Sequence, residues 1–472
     1  MIKSLRENEK LPWIKVSADS PFFVDETGNN WTPIGQNDAV TWPDLAGLFR
    51  RKNVQEVEGH LAYLSAHGVT CLRVMLEYCQ TENRYLERPV GRFQPNMIQF
   101  WDDLFVLCEK YKLRILLTPF DTFWMSKRWK HHPYNKLSGG PCKSKSQWLT
   151  CPGTLEAIKN RFTFAIERWG NSGVLFGWDL WNEINPAHAL KKTDGFYAFI
   201  EKISEHVRKL EMDLYGKTHP QTVSVFASLL TQPNVTDVIF KHPNLDFAST
   251  HFYEDKTINS PRNTIDAAIS TGNMVQEALV HLLPERPFFD SEHGPIEYFR
   301  KYKKNLPEAF DDQYFLNMQW AHLASGGAGG GMRWPYRFPH VLTHGMRRAQ
   351  SNMAQFISLI DWKIFQRKNL NDVLKSQIPD AVVFGCGDTM QAIVWILRNQ
   401  VVGKSKAKTK HKPVAINISI PNLIAGCYQI HFWNTISGKA DFLKIEKGVE
   451  ELQISIQLTT NDIALAVIKT TM

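Results

Sequence analysis

The sequence predicts an α/β fold, a ring of alternating strands and helices, followed by a small all-β domain. Two observations carry this. Eight short apolar runs recur before residue 340, most of them separated by stretches with helical spacing. From Ala381 onward the pattern becomes short alternating segments set apart by Gly, Pro, Asn and Lys, with no helical period. The largely continuous apolar character of the eight runs suits parallel strands covered by helices. The expected architecture is therefore a (β/α)8 TIM barrel over residues 1–375 with a C-terminal β-sandwich over 376–472. A doubly wound open sheet is the competing arrangement, but no GxGxxG turn or P-loop is present to anchor a nucleotide.

Taken in order, PFFVDETGNNW reads as a hairpin turning near Gly28. The eight strand-like runs are Trp31 to Asn37, Val69 to Leu76, Leu113 to Phe120, Val174 to Glu183, Thr222 to Ser228, Leu245 to Tyr253, Pro287 to Glu292 and Gly330 to Pro335. Between them, Leu155, Ile158, Phe162, Ile166 and Trp169 share one helical face, with Thr154 as the expected N-cap and Gly170 as the stop. NMIQFWDDLFVLCEKY and DGFYAFIEKISEHVRKL have the same character, and a helix through MRRAQSNMAQFISLIDW closes the barrel. The tail supplies seven strand-like segments: AVVFGCG, MQAIVWILRN, PVAINISI, GCYQIHFWNT, ADFLKIE, ELQISIQL and IALAVIKT.

Composition narrows the partners. The net charge is +8, and five of those charges come from Lys404, Lys406, Lys408, Lys410 and Lys412, a run that reads as a solvated loop between two strands. A nucleic-acid partner recruited by that run is the alternative, and none is expected. The seven cysteines form no CxxC pair and no Cys/His ligand spacing, so no zinc site is expected; no other metal and no organic cofactor is expected either. Cys71, Cys108 and Cys386 read as buried thiols, whereas Cys142 and Cys151 flank a polar loop and could bridge in an oxidising compartment. The N-terminus lacks an apolar signal core and no run is long enough for a membrane span. As written the chain reads as cytoplasmic, and as secreted if a signal was removed or export is unconventional. Fifteen Trp and thirteen Tyr include residues in strand-end loops, Trp124, Trp129, Trp334 and Tyr336, where flat faces suit stacking on sugar rings.

Catalytic groups of such a barrel sit at the carboxyl ends of the strands. Reading those ends gives Asn37, Arg73 with Glu77 beyond it, Asp121, Asn182, Glu183, His251, Tyr253, Glu292 and Trp334. Two carboxylates emerging from buried strand ends, Glu183 and Glu292, are costly unless paired or used. Facing one cleft, they are the machinery of glycoside hydrolysis.

The residues WNE after the fourth strand, HFY after the sixth, SEHG after the seventh and a Trp after the eighth resemble the retaining β-glycosidases of clan A. They are most similar to glycoside hydrolase family 5 and its relatives, over about Pro21 to Asp361, and the GCYQIHFWNTISG segment resembles the sandwich of some members. The resemblance implies a general acid/base at Glu183 and a nucleophile at Glu292, with no metal. It also implies a contact from Asn182 to the sugar 2-hydroxyl, Arg73 and Tyr253 holding Glu292 ionised, His251 supporting Glu183 and Trp334 flooring the subsite for the reacting sugar. The substrate implied is a β-linked, gluco- or manno-configured saccharide. Where many members carry a histidine after strand 3, this chain has LLTPFDTFW, so Asp121 and Trp124 are expected to take over sugar contacts. His131 and His132 are expected on a surface loop. Arg73 has an alternative partner in Glu77, His251 an alternative place in the core, and Trp334 an alternative role in packing. The competing functions are a noncatalytic carbohydrate-binding protein on the same barrel and a transglycosidase.

Overall fold

A computed structural model of the chain describes residues 10–80, 82–192, 194–297, 304–335, 337, 340–375, 377–378, 381–399, 412–447 and 451–470. Tyr336 and Lys404 to Lys410 lie outside the described residues.

The eight expected barrel strands are present: β1 (Gly35–Asp38), β2 (Cys71–Met75), β3 (Arg114–Thr118), β4 (Leu175–Asp179), β5 (Gln221–Thr222 and Ser224–Phe226), β6 (Ala248–Phe252), β7 (Phe288–His293) and β8 (Met332–Arg333). Neighbours pair in parallel from β1 to β4 and from β5 through β8 back to β1. The two halves of β5 close the ring, since Gln221–Thr222 pairs with β4 and Ser224–Phe226 pairs with β6. One long helix follows each strand: α1 (Val54–Ala66), α2 (Pro95–Lys110), α3 (Pro152–Ala165), α4 (Asp194–Tyr215), α5 (Pro233–Phe240), α6 (Thr264–Val280), α7 (Glu308–Ala324) and α8 (His344–Ile357).

The start of α3 corrects the expected cap. Cys151 occupies the N-cap and Pro152 the first helical position, while Thr154 is buried inside the first turn. Proline's fixed φ and missing N–H suit it to that first position, and this outweighs the capping preference of threonine. The helix runs on into a wider π turn over Ile166–Gly170.

Two pairings skip a residue, and both fall on strands that lead to a candidate glutamate. Between β3 and β4, Ile115 faces Leu175 and Leu116 faces Gly177, passing over Phe176. Between β6 and β7, Thr250 faces Asp290 and His251 faces Glu292, passing over Ser291. An extra residue of this kind bends a strand and re-aims the side chains beyond it.

Below the barrel, Ile14–Val16, Phe23–Asp25 and Asn30–Trp31 form a small antiparallel sheet whose turn holds Gly28 at a φ of 88°. It delivers Phe23 into the barrel floor, edge-on to Phe176 at 5.0 Å and to Phe247 at 5.5 Å.

The tail forms a β-sandwich. Its strands are β9 (Lys368–Asn369), β10 (Ala381–Gly387), β11 (Gln391–Arg398), β12 (Val414–Ile420), β13 (Gly426–Asn434), β14 (Lys439–Lys447), β15 (Leu452–Leu458) and β16 (Asp462–Lys469). Six pair antiparallel in the order β9-β10-β11-β16-β13-β14, and β12 pairs with β15. Alternate residues Leu452, Ile454, Ile456 and Leu458 are buried while those between them are exposed, the period of a strand with one solvated face. Phe384, Trp395 and Trp433 on the other side share a core with Phe315, Trp320 and Phe356 of the barrel helices.

Candidate active site

The site is organised around Arg73 of β2, which is buried with its guanidinium centred among four side chains. Nη1 donates to Asn37 Oδ1 at 3.0 Å and to Glu292 Oε2 at 2.8 Å. Nη2 donates to Asp179 Oδ2 at 2.8 Å and to Asn182 Oδ1 at 2.5 Å. Burial alone would weaken this cation, but Asp179 and Glu292 outweigh it and raise its pKa. A charge held by this many oriented partners is rigid, and each partner is in turn fixed by it.

Asp179 ends β4 and serves as a relay. It accepts from Ser224 N–H at 3.0 Å, from Ser224 Oγ at 2.9 Å and from Thr118 Oγ1 at 3.3 Å. Ser224 Oγ also accepts from Glu183 N–H at 3.1 Å. Glu183 sits at a φ of 53°, a left-handed conformation that a side chain with a Cβ rarely adopts. Strain of this kind persists where surrounding bonds over-determine it, and it concentrates at functional sites.

Glu292 is held from both sides. Tyr253 donates to Oε1 at 2.6 Å while Arg73 takes Oε2. Beneath it, Asp290 Oδ1 accepts from Glu292 N–H at 3.1 Å, and Asp290 Oδ2 lies 2.6 Å from His293 Nδ1. Glu183 has one such partner, with Oε1 2.8 Å from His251 Nδ1. Burial pushes both glutamates up. Glu183 goes well up because the charge of Glu292 adds to burial, whereas Arg73 and Tyr253 restrain the rise at Glu292. His251 is driven well below its ordinary value, first by burial and then by Arg73, so its ring is neutral. One carboxyl oxygen from each glutamate and a ring nitrogen of His251 lie within 4.8 Å of one another.

These groups open into a cleft of about 810 Å³ lined by Tyr78, Asp121, Trp124, Tyr253 and Trp334 together with Asn182, Glu183 and Glu292. Trp334 stands edge-on to Trp42 at 5.0 Å. Asp121 caps the short helix Thr122–Lys127 by accepting from Trp124 N–H at 3.1 Å. Its Oδ2 has no hydrogen-bond partner among the described residues, and burial pushes its pKa well up. Thr122 fixes Asn182, donating to its carbonyl at 2.6 Å and accepting from its Nδ2 at 3.0 Å.

Several expectations are placed differently. Asn37 does not line the cleft, because its Nδ2 donates to the carbonyls of Ser291 and Met332 while its oxygen faces Arg73. It supports the arginine from below. Arg73 does not pair with Glu77, which is taken instead by Arg161 at 3.1 Å and His132 at 3.1 Å. Burial raises Glu77, but these two partners outweigh it and bring it down to about 2. His132 is therefore buried rather than on the surface, and only His131 is exposed. A buried carboxylate beside it gives its ring a partner that the adjacent-histidine spacing could not reveal. Trp129 packs against His132 and Trp148 instead of lining the cleft. Cys142 and Cys151 are free thiols.

The residues missed by sequence reading include Asp179, Ser224 and Thr122 beneath the cleft, and Tyr78, Gln80, Phe123 and Phe226 in its wall. Asp179 could have been found as the strand-end acid of VLFGWD. Gln80 carried no signal, since its oxygen is fixed by Trp42 Nε1 from a distant turn together with the OH of nearby Tyr78.

Among the described residues, two groups bring three ligand-type atoms within 4.8 Å of one another: Glu183 with His251 and Glu292, and Asp38 with Asp44 and His60. Arg73 faces the first group and Arg347 the second. A guanidinium beside each donor set opposes a bound cation.

No protein-family model matches the sequence, and no curated protein matches it. Solved structures do. A glycoside hydrolase aligns with 98% of this chain and 98% of its own, at 14% identity and a TM-score of 0.62. A glycoside hydrolase family 5 protein from Bacteroides vulgatus aligns with 99% of this chain and 96% of its own, at 11% identity and a TM-score of 0.59. A family 5 mannosidase from Rhizomucor miehei aligns with 73% of this chain and 97% of its own, at 13% identity and a TM-score of 0.53. The fold of this chain, barrel and sandwich together, is similar to that of family 5 glycoside hydrolases.

Proposed function

We propose that the protein is a retaining β-glycoside hydrolase acting by double displacement. The observation that carries this reading is the approach of a Glu183 oxygen to a Glu292 oxygen within 4.8 Å. Retaining enzymes hold their carboxyl pair about 5–5.5 Å apart, and inverting enzymes leave about 6.5–9.5 Å for a water.

The environments divide the labour. Glu292, bonded to Arg73 and Tyr253, is the ionised partner and attacks the anomeric carbon. Glu183, raised well up, is the protonated partner and gives its proton to the departing oxygen. Formation of the glycosyl ester consumes the charge of Glu292. The second-largest cause of the elevated Glu183 pKa then disappears, and Glu183 can take a proton from the incoming water. Asn182, clamped between Arg73 and Thr122, is positioned to contact the 2-hydroxyl. Trp124, Tyr78 and Trp334 offer aromatic walls to the sugar, and Asp121 lines the same cleft. Gluco- and manno-configured β-glycosides are the substrates to try first, the latter because one fold neighbour is a mannosidase.

The test is intact mass and peptide mapping after incubation with 2-deoxy-2-fluoro glycosides of both configurations. An adduct on Glu292 is expected and would identify the preferred sugar. Labelling of another residue would overturn the assignment, and binding of glycans without turnover of any aryl glycoside would favour a noncatalytic carbohydrate-binding protein.

A further inference from the structure

The wall of the cleft on the Glu183 side has an unusual charge. From Thr122 to Leu155 the chain contains no Asp or Glu, while Lys127, Arg128, Lys130, Lys136, Lys143 and Lys145 are all exposed. A second acid-free stretch, Ile184 to Lys192, adds exposed Lys191 and Lys192. Among the described residues none of these eight cations is in an ion pair. The two stretches form one surface: Leu190 N–H donates to Ser146 O at 2.9 Å, and Leu149 N–H donates to His188 O at 3.2 Å. Lys145 reaches back to Ser126 Oγ at 2.9 Å, which ties it to the helix carrying Lys127.

Large apolar side chains stand out among these cations. Leu137 is 85% exposed, Leu190 49% and Phe123 47%. Phe123 also lines the cleft, so this surface reaches the mouth of the site. Isolated exposed leucines need no account, but here they share two joined, acid-free segments with eight exposed cations outside any ion pair, and Lys127 lies over the Phe123 ring at 5.6 Å. Arg161 Nε donates to Glu87 at 2.8 Å, Tyr134 OH donates to the same oxygen at 2.9 Å, and Glu77 pairs with His132.

We propose that this face docks on an anionic lipid surface, with Leu137, Leu190 and Phe123 entering the interface and the eight cations facing the headgroups. Cations near an anionic bilayer gain from its surface potential, and apolar side chains between them gain from leaving water. A soluble polyanion would use the charges and leave the leucines exposed. The inference concerns binding alone and does not depend on the hydrolase reading.

The test is co-sedimentation of the full chain with vesicles of phosphatidylcholine, with and without phosphatidylserine, in the absence of any glycoside. Partitioning at least about tenfold stronger on the anionic vesicles is expected, weakening as salt rises. Lys127→Glu, Arg128→Glu, Lys143→Glu and Lys145→Glu together should remove that preference, with the thermal midpoint unchanged. Leu137→Ser with Leu190→Ser, at constant charge, should weaken partitioning about threefold or more. Replacing Lys404, Lys406, Lys408, Lys410 and Lys412 by Ser should leave it intact. Loss of binding in that last variant, equal binding to both vesicle types, no vesicle binding, or binding only to heparin or single-stranded DNA would each overturn the proposal.

Discussion

At the floor of the barrel, Phe23, Phe176, Phe247 and Phe289 meet ring against ring, with Phe247 and Phe289 stacked at 5.7 Å. At the mouth, β4 and β7, two of the strands that build this floor, carry Asp179 and Glu292 into a network of charges around Arg73. The floor contributes stability through buried apolar area and close packing. The mouth removes several charges from water, an arrangement that stabilises little overall but punishes the loss of any one partner. The difference shows how one barrel separates work: its floor can be rigid because nothing there must react, and its mouth can be strained because the floor holds it.

The largest expected effect falls on the mouth. Glu292→Gln and Glu183→Gln should each lower turnover of an activated β-glycoside by at least about 10²-fold while leaving the fold intact, as read by circular dichroism. Arg73→Met should break the comparison in the other direction. It strands Asp179 and Glu292, so activity should disappear together with about 3–5 kcal/mol of stability in denaturant unfolding. Phe176→Ala should cost a similar ~3–5 kcal/mol of stability yet largely spare turnover per folded molecule. A large fall in kcat for that variant would mean that the two ends are not separate. Tyr253→Phe removes one hydrogen bond to a charged group and should lower turnover about ten- to a hundredfold with a small change in stability.

The smallest effect is a shift in pH dependence. On the proposed mechanism Glu292 is ionised and Glu183 protonated, so rate should fall on the acid side as Glu292 gains a proton and on the basic side as Glu183 loses one. Because the charge of Glu292 helps raise Glu183, Glu292→Gln should move the Glu183 titration downward, measurable from its carboxyl carbon by NMR. An unmoved titration would mean that burial alone sets the value.

How much of this was legible depends on whether the deciding contact is local. Alternation of apolar runs with helical periods is local, and so all eight barrel strands and the seven tail segments from Ala381 onward could be read from the chain. The strand-end glutamates were legible for the same reason, since a carboxylate closing an apolar run is anomalous wherever it occurs. The partner of Arg73 followed from the family resemblance and not from the local pattern. Both Glu77, four residues away, and Glu292, across the ring, carry the right charge, and only closure of the barrel puts Glu292 within 2.8 Å. His132 looked like a surface residue because its partner Glu77 arrives from another strand.

By itself the sequence determined the repeating strand–helix pattern, the β-rich tail and the two acids at strand ends, because propensity, periodicity and turn chemistry act over a few residues. The tertiary structure alone decided the residues passed over at Phe176 and Ser291, the left-handed turn at Glu183 and the joining of two basic segments into one face. Each of these depends on pairing between segments distant in the chain, where register and ring closure, not local preference, fix which residues meet.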